Sequence, residues 1–83
     1  MMKYEVIIPE KPERQIKKLD RITQMRVMRR LLELRENPDL GKPLHHCKIW
    51  SLRVGKYRVR YEINRNKKRV EIKSVRHRKK AYQ

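Results

Sequence analysis

Gly55-Lys56 is the feature that most restricts this chain. It separates residues 49–54 from residues 57–63, two stretches with β-branched and aromatic residues at alternate positions. A two-residue link beginning with glycine suits a type II′ hairpin turn. The turn then sets the register. Val54 faces Tyr57, Leu52 faces Val59 and Trp50 faces Tyr61, all on one side of a sheet. The opposite side carries Arg53 against Arg58 and Ser51 against Arg60, with Ile49 and Glu62 farther along. A slip of one residue would exchange the two sides and bury the arginines, so the register is strongly specified. Trp50 and Tyr61 are expected in the core rather than as surfaces for stacking bases.

The apolar side of that hairpin needs a cover, and the N-terminal half supplies one. Residues 4–8 read as a short strand stopped by Pro9. Pro12 suits the first turn of a helix, and Glu13 beside it favours the positive end of the helix dipole. Ile16 and Leu19 lie three apart on one face of that helix. Asp20 is placed to cap a second helix over residues 21–36. Ile22, Met25, Met28, Leu31, Leu32 and Leu34 recur there at steps of three and four, the amphipathic pattern. Met25 and Met28 are read as helix core. Asn37-Pro38 ends the helix, residues 38–47 read as a loop, residues 64–69 as a second turn and residues 70–75 as a last strand. The expected architecture is α+β: a small antiparallel sheet with an N-terminal helical hairpin packed on one face, in a single domain over residues 1–83.

The second half also holds most of the charge. Of 25 Lys and Arg residues, 14 fall between Lys48 and Gln83, against only two acids, Glu62 and Glu71. Such an excess repels itself unless a polyanion or an acidic protein supplies counter-charge. Arg53 facing Arg58 is destabilising by itself. Two readings fit it: guanidiniums splayed into water, or a phosphate cradle, since the arginine fork matches phosphate oxygens in pairs. The chain ends in Arg76-His77-Arg78-Lys79-Lys80-Ala81-Tyr82. Lys79 and Lys80 are general attraction for a polyanion, Tyr82 can stack on a base, and His77 can give or take a proton. Arg53, Arg60 and Arg76 are read with them as RNA-binding residues.

Other features restrict function by what they fail to provide. One cysteine, Cys47, gives no internal disulfide and fits a reducing compartment. His45-His46-Cys47 lacks the ligand spacing of a structural zinc site, so no metal or cofactor is expected. No apolar stretch approaches the ~20 residues of a membrane span, and Met1 to Pro9 does not read as a signal peptide. A cytoplasmic protein is expected, with no membrane partner.

Taken together, Leu52-Arg53-Val54-Gly55-Lys56-Tyr57-Arg58-Val59-Arg60-Tyr61-Glu62-Ile63, the His77-Arg78 ending with Tyr82, and Gly41-Lys42-Pro43-Leu44 resemble the RelE toxin family, in the RelE/ParE superfamily of toxin–antitoxin systems. The resemblance implies a microbial-RNase-like fold and an endoribonuclease that cuts mRNA in the ribosomal A site through attack of the 2′-hydroxyl. It implies a RelB-type antitoxin whose acidic segment covers the basic face, and the ribosome and mRNA as partners. Carried onto this chain, it makes Arg58 and Arg78 the phosphate-stabilising arginines and Tyr82 the residue that orients the nucleotide; His77 is a candidate acid or base. The chain departs from the family at Ile49 and Ser51, where a lysine or arginine is common. A ParE-like toxin acting on DNA gyrase and a non-catalytic RNA-binding module are the alternative classes.

Overall fold

The computed structural model describes residues 3–45 and 47–79. His46, Lys80 and Tyr82 fall outside the described residues. Five strands form one sheet in the order β1-β5-β4-β3-β2: β1 (Glu5–Ile7), β2 (Lys42–Pro43), β3 (Ile49–Val54), β4 (Tyr57–Asn64) and β5 (Arg69–His77). Helices α1 (Glu10–Lys17) and α2 (Arg21–Glu33) follow β1 and cover one face.

The β3–β4 register is the one the turn predicted, from Val54↔Tyr57 to Ile49↔Glu62. Gly55 has φ +59°, and Lys56 is not among the positive-φ residues. Positive φ at the first turn position alone is the type II′ signature. The sheet is nevertheless mixed rather than wholly antiparallel: β1 returns beside β5 in parallel, with Val6 opposite Val70. Residues 38–47 also hold more structure than a loop. A short 3-10 helix, Pro38–Leu40, leads into β2, whose two residues pair with Trp50 and Ser51.

The helices begin and end for local reasons. Glu10 and Glu13 occupy the first turn of α1 and Arg14 and Lys17 the last, in line with the dipole. Pro12 is tolerated in the first turn and is buried. α1 stops at Lys17, so Leu19 lies beyond it and packs on the core from the connecting segment. Asp20 caps α2 by accepting from the Thr23 N–H at 3.1 Å. α2 ends at Glu33 rather than Glu36.

The core sits between α2 and the sheet. Val27 and Leu31 from the second helix and Leu34 just past its end meet Leu52, Val54, Val59, Tyr61, Val70, Ile72 and Val75, with Ile16 from α1. Fully burying each Leu or Val contributes roughly 1.5–3 kcal/mol. Trp50 is half-buried and stacks on Tyr61 with centroids 6.3 Å apart. The methionine stripe is a correction to the expectation. Ile22, Met25, Met28 and Leu32 are 65%, 57%, 40% and 57% exposed. Val27 replaces them as the buried residue, because only one of the two apolar lines along α2 can face the sheet.

Candidate nucleic-acid interface

With both helices on one face, the other face of β3, β4 and β5 displays its side chains in rows. Arg53 stands opposite Arg58, and Arg58 stands opposite Arg76. Paired Cα atoms across antiparallel strands are roughly 4.5–5.5 Å apart, so three arginine stems occupy about 10 Å. The next row is Ser51, Arg60 and Ser74, and the one beyond is Ile49, Glu62 and Glu71. Charge therefore runs from an arginine row at the Gly55-Lys56 end to two carboxylates at the far end.

Local context differs within the arginine row. Arg58, on the middle strand, is half-buried, and its Nε is buried. Arg53 and Arg76 are exposed at its flanks. The Arg53 Nε reaches the Gly55 carbonyl at 3.4 Å. Arg78 follows the end of β5. Its backbone N–H donates to the Lys56 carbonyl at 2.6 Å, which pins it to the turn at the arginine end, with its side chain exposed. Lys79 is also exposed. Three like charges so close create a strong positive potential, and a bound polyanion relieves it.

His77 is not part of this arrangement. β5 runs through His77, two residues farther than the strand read from the sequence, and alternation sends Arg76 and His77 to opposite faces. His77 pairs with Tyr57 and meets it edge-on, centroids 5.4 Å apart, on the side that carries the helices. Its Nδ1 accepts from the Lys79 N–H at 3.2 Å. Grouping His77 with the arginines by sequence proximity puts it on the wrong face, because a strand separates what a tail would have left together.

Lys73 was missed. The β4–β5 register shifts between Arg60 and Tyr61: Tyr61 faces Ile72 while Arg60 faces Ser74, which leaves Lys73 as the extra residue of a bulge. The Lys73 Nζ lies 3.0 Å from Glu62 and 3.3 Å from Glu71. These bonds, Glu62 first, hold its ammonium above the ordinary lysine range. The signal was present in the sequence. Val70, Ile72 and Val75 are the buried residues of β5, and a step of three in a period-two strand marks an inserted residue. Lys73 also lines a groove beside α1. Lys11, Arg60 and Arg76 share that groove, as do Leu44, Cys47 and Ile49.

Two helices packed on a five-stranded mixed sheet are the fold of solved RelE toxins. The chain superposes on the toxin–antitoxin complex RelBE2 of Mycobacterium tuberculosis with TM-score 0.86, 30% identity and 94% coverage of each chain. It matches an arginine-to-alanine double variant of the E. coli toxin RelE in the free state with TM-score 0.81, 22% identity and coverage of 98% of this chain and 90% of that one. It matches the archaeal RelE–RelB complex of Pyrococcus horikoshii OT3 with TM-score 0.78, 21% identity and coverage of 93% and 97%. Among curated proteins no match was found. The model of the ParE toxin family of type II toxin–antitoxin systems, parDE, matches residues 6–82. The chain belongs to this family, within the RelE/ParE superfamily.

Proposed function

We propose that this protein is a toxin that cuts mRNA on the ribosome and is restrained by an antitoxin. The observation that carries the reading is the row Arg53, Arg58, Arg76 on the helix-free face. Cleavage through the RNA's own 2′-hydroxyl puts extra negative charge on the phosphoryl oxygens as the phosphorane-like state forms. A preorganised guanidinium, partly withdrawn from water, stabilises that charge better than an exposed one. Arg58 is the best placed, with Arg53, Arg76 and Arg60 holding neighbouring phosphates. Arg78, fixed at the same end, adds a second guanidinium, and Tyr82 stacks on the nucleotide as the family resemblance implies. Lys79 and Lys80 add attraction without reading sequence. The action takes place in the cytoplasm, where translating ribosomes are.

Primer extension on translated mRNA tests this. Cuts are expected with the wild-type protein and should vanish with Arg58→Ala. The family model that matches is the ParE one, which favours a second reading, a toxin acting on DNA gyrase. Intact mRNA together with arrested DNA replication would establish that reading and remove the nuclease.

The solved relatives RelBE2 and archaeal RelE were captured with antitoxins, and we extend a partner of that kind to this chain. An acidic segment answers the net charge of +16. The exposed stripe of Ile22, Met25 and Leu32 on α2 gives that segment an apolar seat. Beside it lies a groove lined by Tyr4, Val6, Ile8 and Met28, with Lys3 and Arg35 also lining it. Binding should therefore weaken with salt but keep an apolar component, and Leu32→Asp should weaken it at every salt concentration.

A further inference from the structure

We propose that His77 is a positioning residue: from the helix side of the sheet, its ring closes the turn that holds Arg78 at the arginine end. The inference rests on the nuclease reading above, in which Arg78 adds a guanidinium beside Arg58. His77 itself touches no reacting atom. It acts only through where the backbone of Arg78 is held.

Arg78 stands one residue beyond β5, past Tyr57↔His77, the last pair of the ladder. Its side chain is exposed. A charge on an unheld segment stabilises a transition state poorly, because it must be ordered at the moment of reaction. Two bonds hold this segment. The Arg78 N–H donates to the Lys56 carbonyl at 2.6 Å, and the Lys79 N–H donates to the His77 Nδ1 at 3.2 Å. The second bond spans Arg78, as an Asn side chain does when it accepts from the N–H two residues on. The accepting Nδ1 carries no proton. The ring that offers it is held in turn. It is half-buried, meets Tyr57 edge-on with centroids 5.4 Å apart, and lines a groove with Gln15, Lys18 and Leu19. Gln15 also accepts from the Val75 N–H at 2.7 Å, so α1 braces the end of β5. A side chain that faces away from the arginines thus sets where Arg78 begins.

A plainer role exists and must be separated. The ring could serve only to pack on Tyr57 and join β5 to β4. Two substitutions divide the ring from its acceptor. His77→Phe keeps an aromatic ring against Tyr57 and removes the acceptor. His77→Asn removes the ring and keeps an acceptor atom the same number of bonds from the backbone. The experiment measures kcat and KM on ribosomes programmed with a synthetic mRNA, per folded molecule as set by chemical denaturation. His77→Phe should lower kcat about 10- to 100-fold, the scale of a misplacement by ~1 Å. Its KM should stay near the wild-type value, because the arginine row still binds the RNA. His77→Asn should keep kcat near wild type even where its unfolding midpoint falls. The opposite order, with His77→Asn slow and His77→Phe near wild type, would assign the ring to packing and overturn the proposal. Equal kcat in the two variants, or a change in KM alone, would overturn it as well. Wild-type protein that leaves the mRNA intact would overturn the nuclease reading itself, and the proposal with it.

Discussion

The two faces of the sheet carry the same strands and opposite physics. On the helix side, Val54, Val59 and Tyr61 alternate into a dry core with Leu31 and Leu34. On the helix-free side, one residue away along the same backbone, Arg53, Arg58 and Arg76 meet in a row that opposes folding. The first face contributes the stability that the second spends. The backbone is common to the two, so the difference belongs to the side chains and what each face meets rather than to the strands. A repulsive cluster that the fold tolerates reads as a feature kept for a ligand.

The largest expected effect breaks that comparison at its centre. Arg58→Ala should lower cleavage about 100- to 1000-fold, the usual cost of removing one preorganised charge stabiliser, without lowering the unfolding midpoint. Removing the middle cation relieves repulsion on both sides. A clear loss of stability in chemical denaturation would mean that Arg58 is structural. Leu31→Ala is the mirror experiment. Leu31 is 1% exposed, and its truncation should cost about 2–5 kcal/mol while leaving the cutting rate per folded molecule unchanged. If the rate falls as well, the two faces are coupled and the division fails.

How much of the molecule is legible in the sequence follows the range of the interactions. The hairpin register needed only Gly55-Lys56 and its neighbours, and it was read correctly to the last pair. α2 carries two apolar lines, one through Val27, Leu31 and Leu34 and another through Ile22, Met25 and Leu32. Nothing local says which faces the sheet. The parallel pairing of β1 with β5 joins residues more than sixty positions apart, as Val6↔Val70 shows, and no turn announces it. The candidate site was legible where it lies on the hairpin, at Arg53, Arg58 and Arg60. It was misread where β5 continues, because the face of His77 depends on how far that strand runs, and Lys73 depends on a bulge.

A smaller effect concerns how the helix side is locked. The Tyr61 hydroxyl donates to the Pro38 carbonyl at 2.8 Å and accepts from the Gly41 N–H at 3.0 Å. Burial pushes this hydroxyl above the ordinary tyrosine range, which keeps it protonated and able to donate. Gly41 must be glycine here: a Cβ would lie 2.6 Å from the Ser51 carbonyl oxygen and 2.8 Å from the Tyr61 hydroxyl. Tyr61→Phe leaves both backbone groups without that partner and should cost about 1–3 kcal/mol in denaturant unfolding. A neutral result would show that water replaces the hydroxyl, and that the link from the 3-10 helix to the sheet is not a lock.

The smallest effect isolates a charge on the helix side, where charge otherwise does little. Asp20 caps α2 through Thr23, the side-chain hydroxyl first and the backbone N–H second, and these bonds hold its carboxyl below the ordinary value of 3.8. No acid follows it in the first turn of α2, and Arg21 opens the helix with the wrong sign for the dipole. Asn caps nearly as well as Asp, so Asp20→Asn removes the charge and keeps the cap. A carboxyl with a lowered folded pKa contributes stability above its ordinary pKa and loses it as pH falls through the folded one. The wild type should therefore be slightly more stable than Asp20→Asn at neutral pH, by an amount that stays level down to about pH 4 and closes below it. Denaturation midpoints taken across that range would show the closure. A gap that persists in acid would assign the effect to hydrogen-bond geometry, and the charge would then contribute nothing to this face.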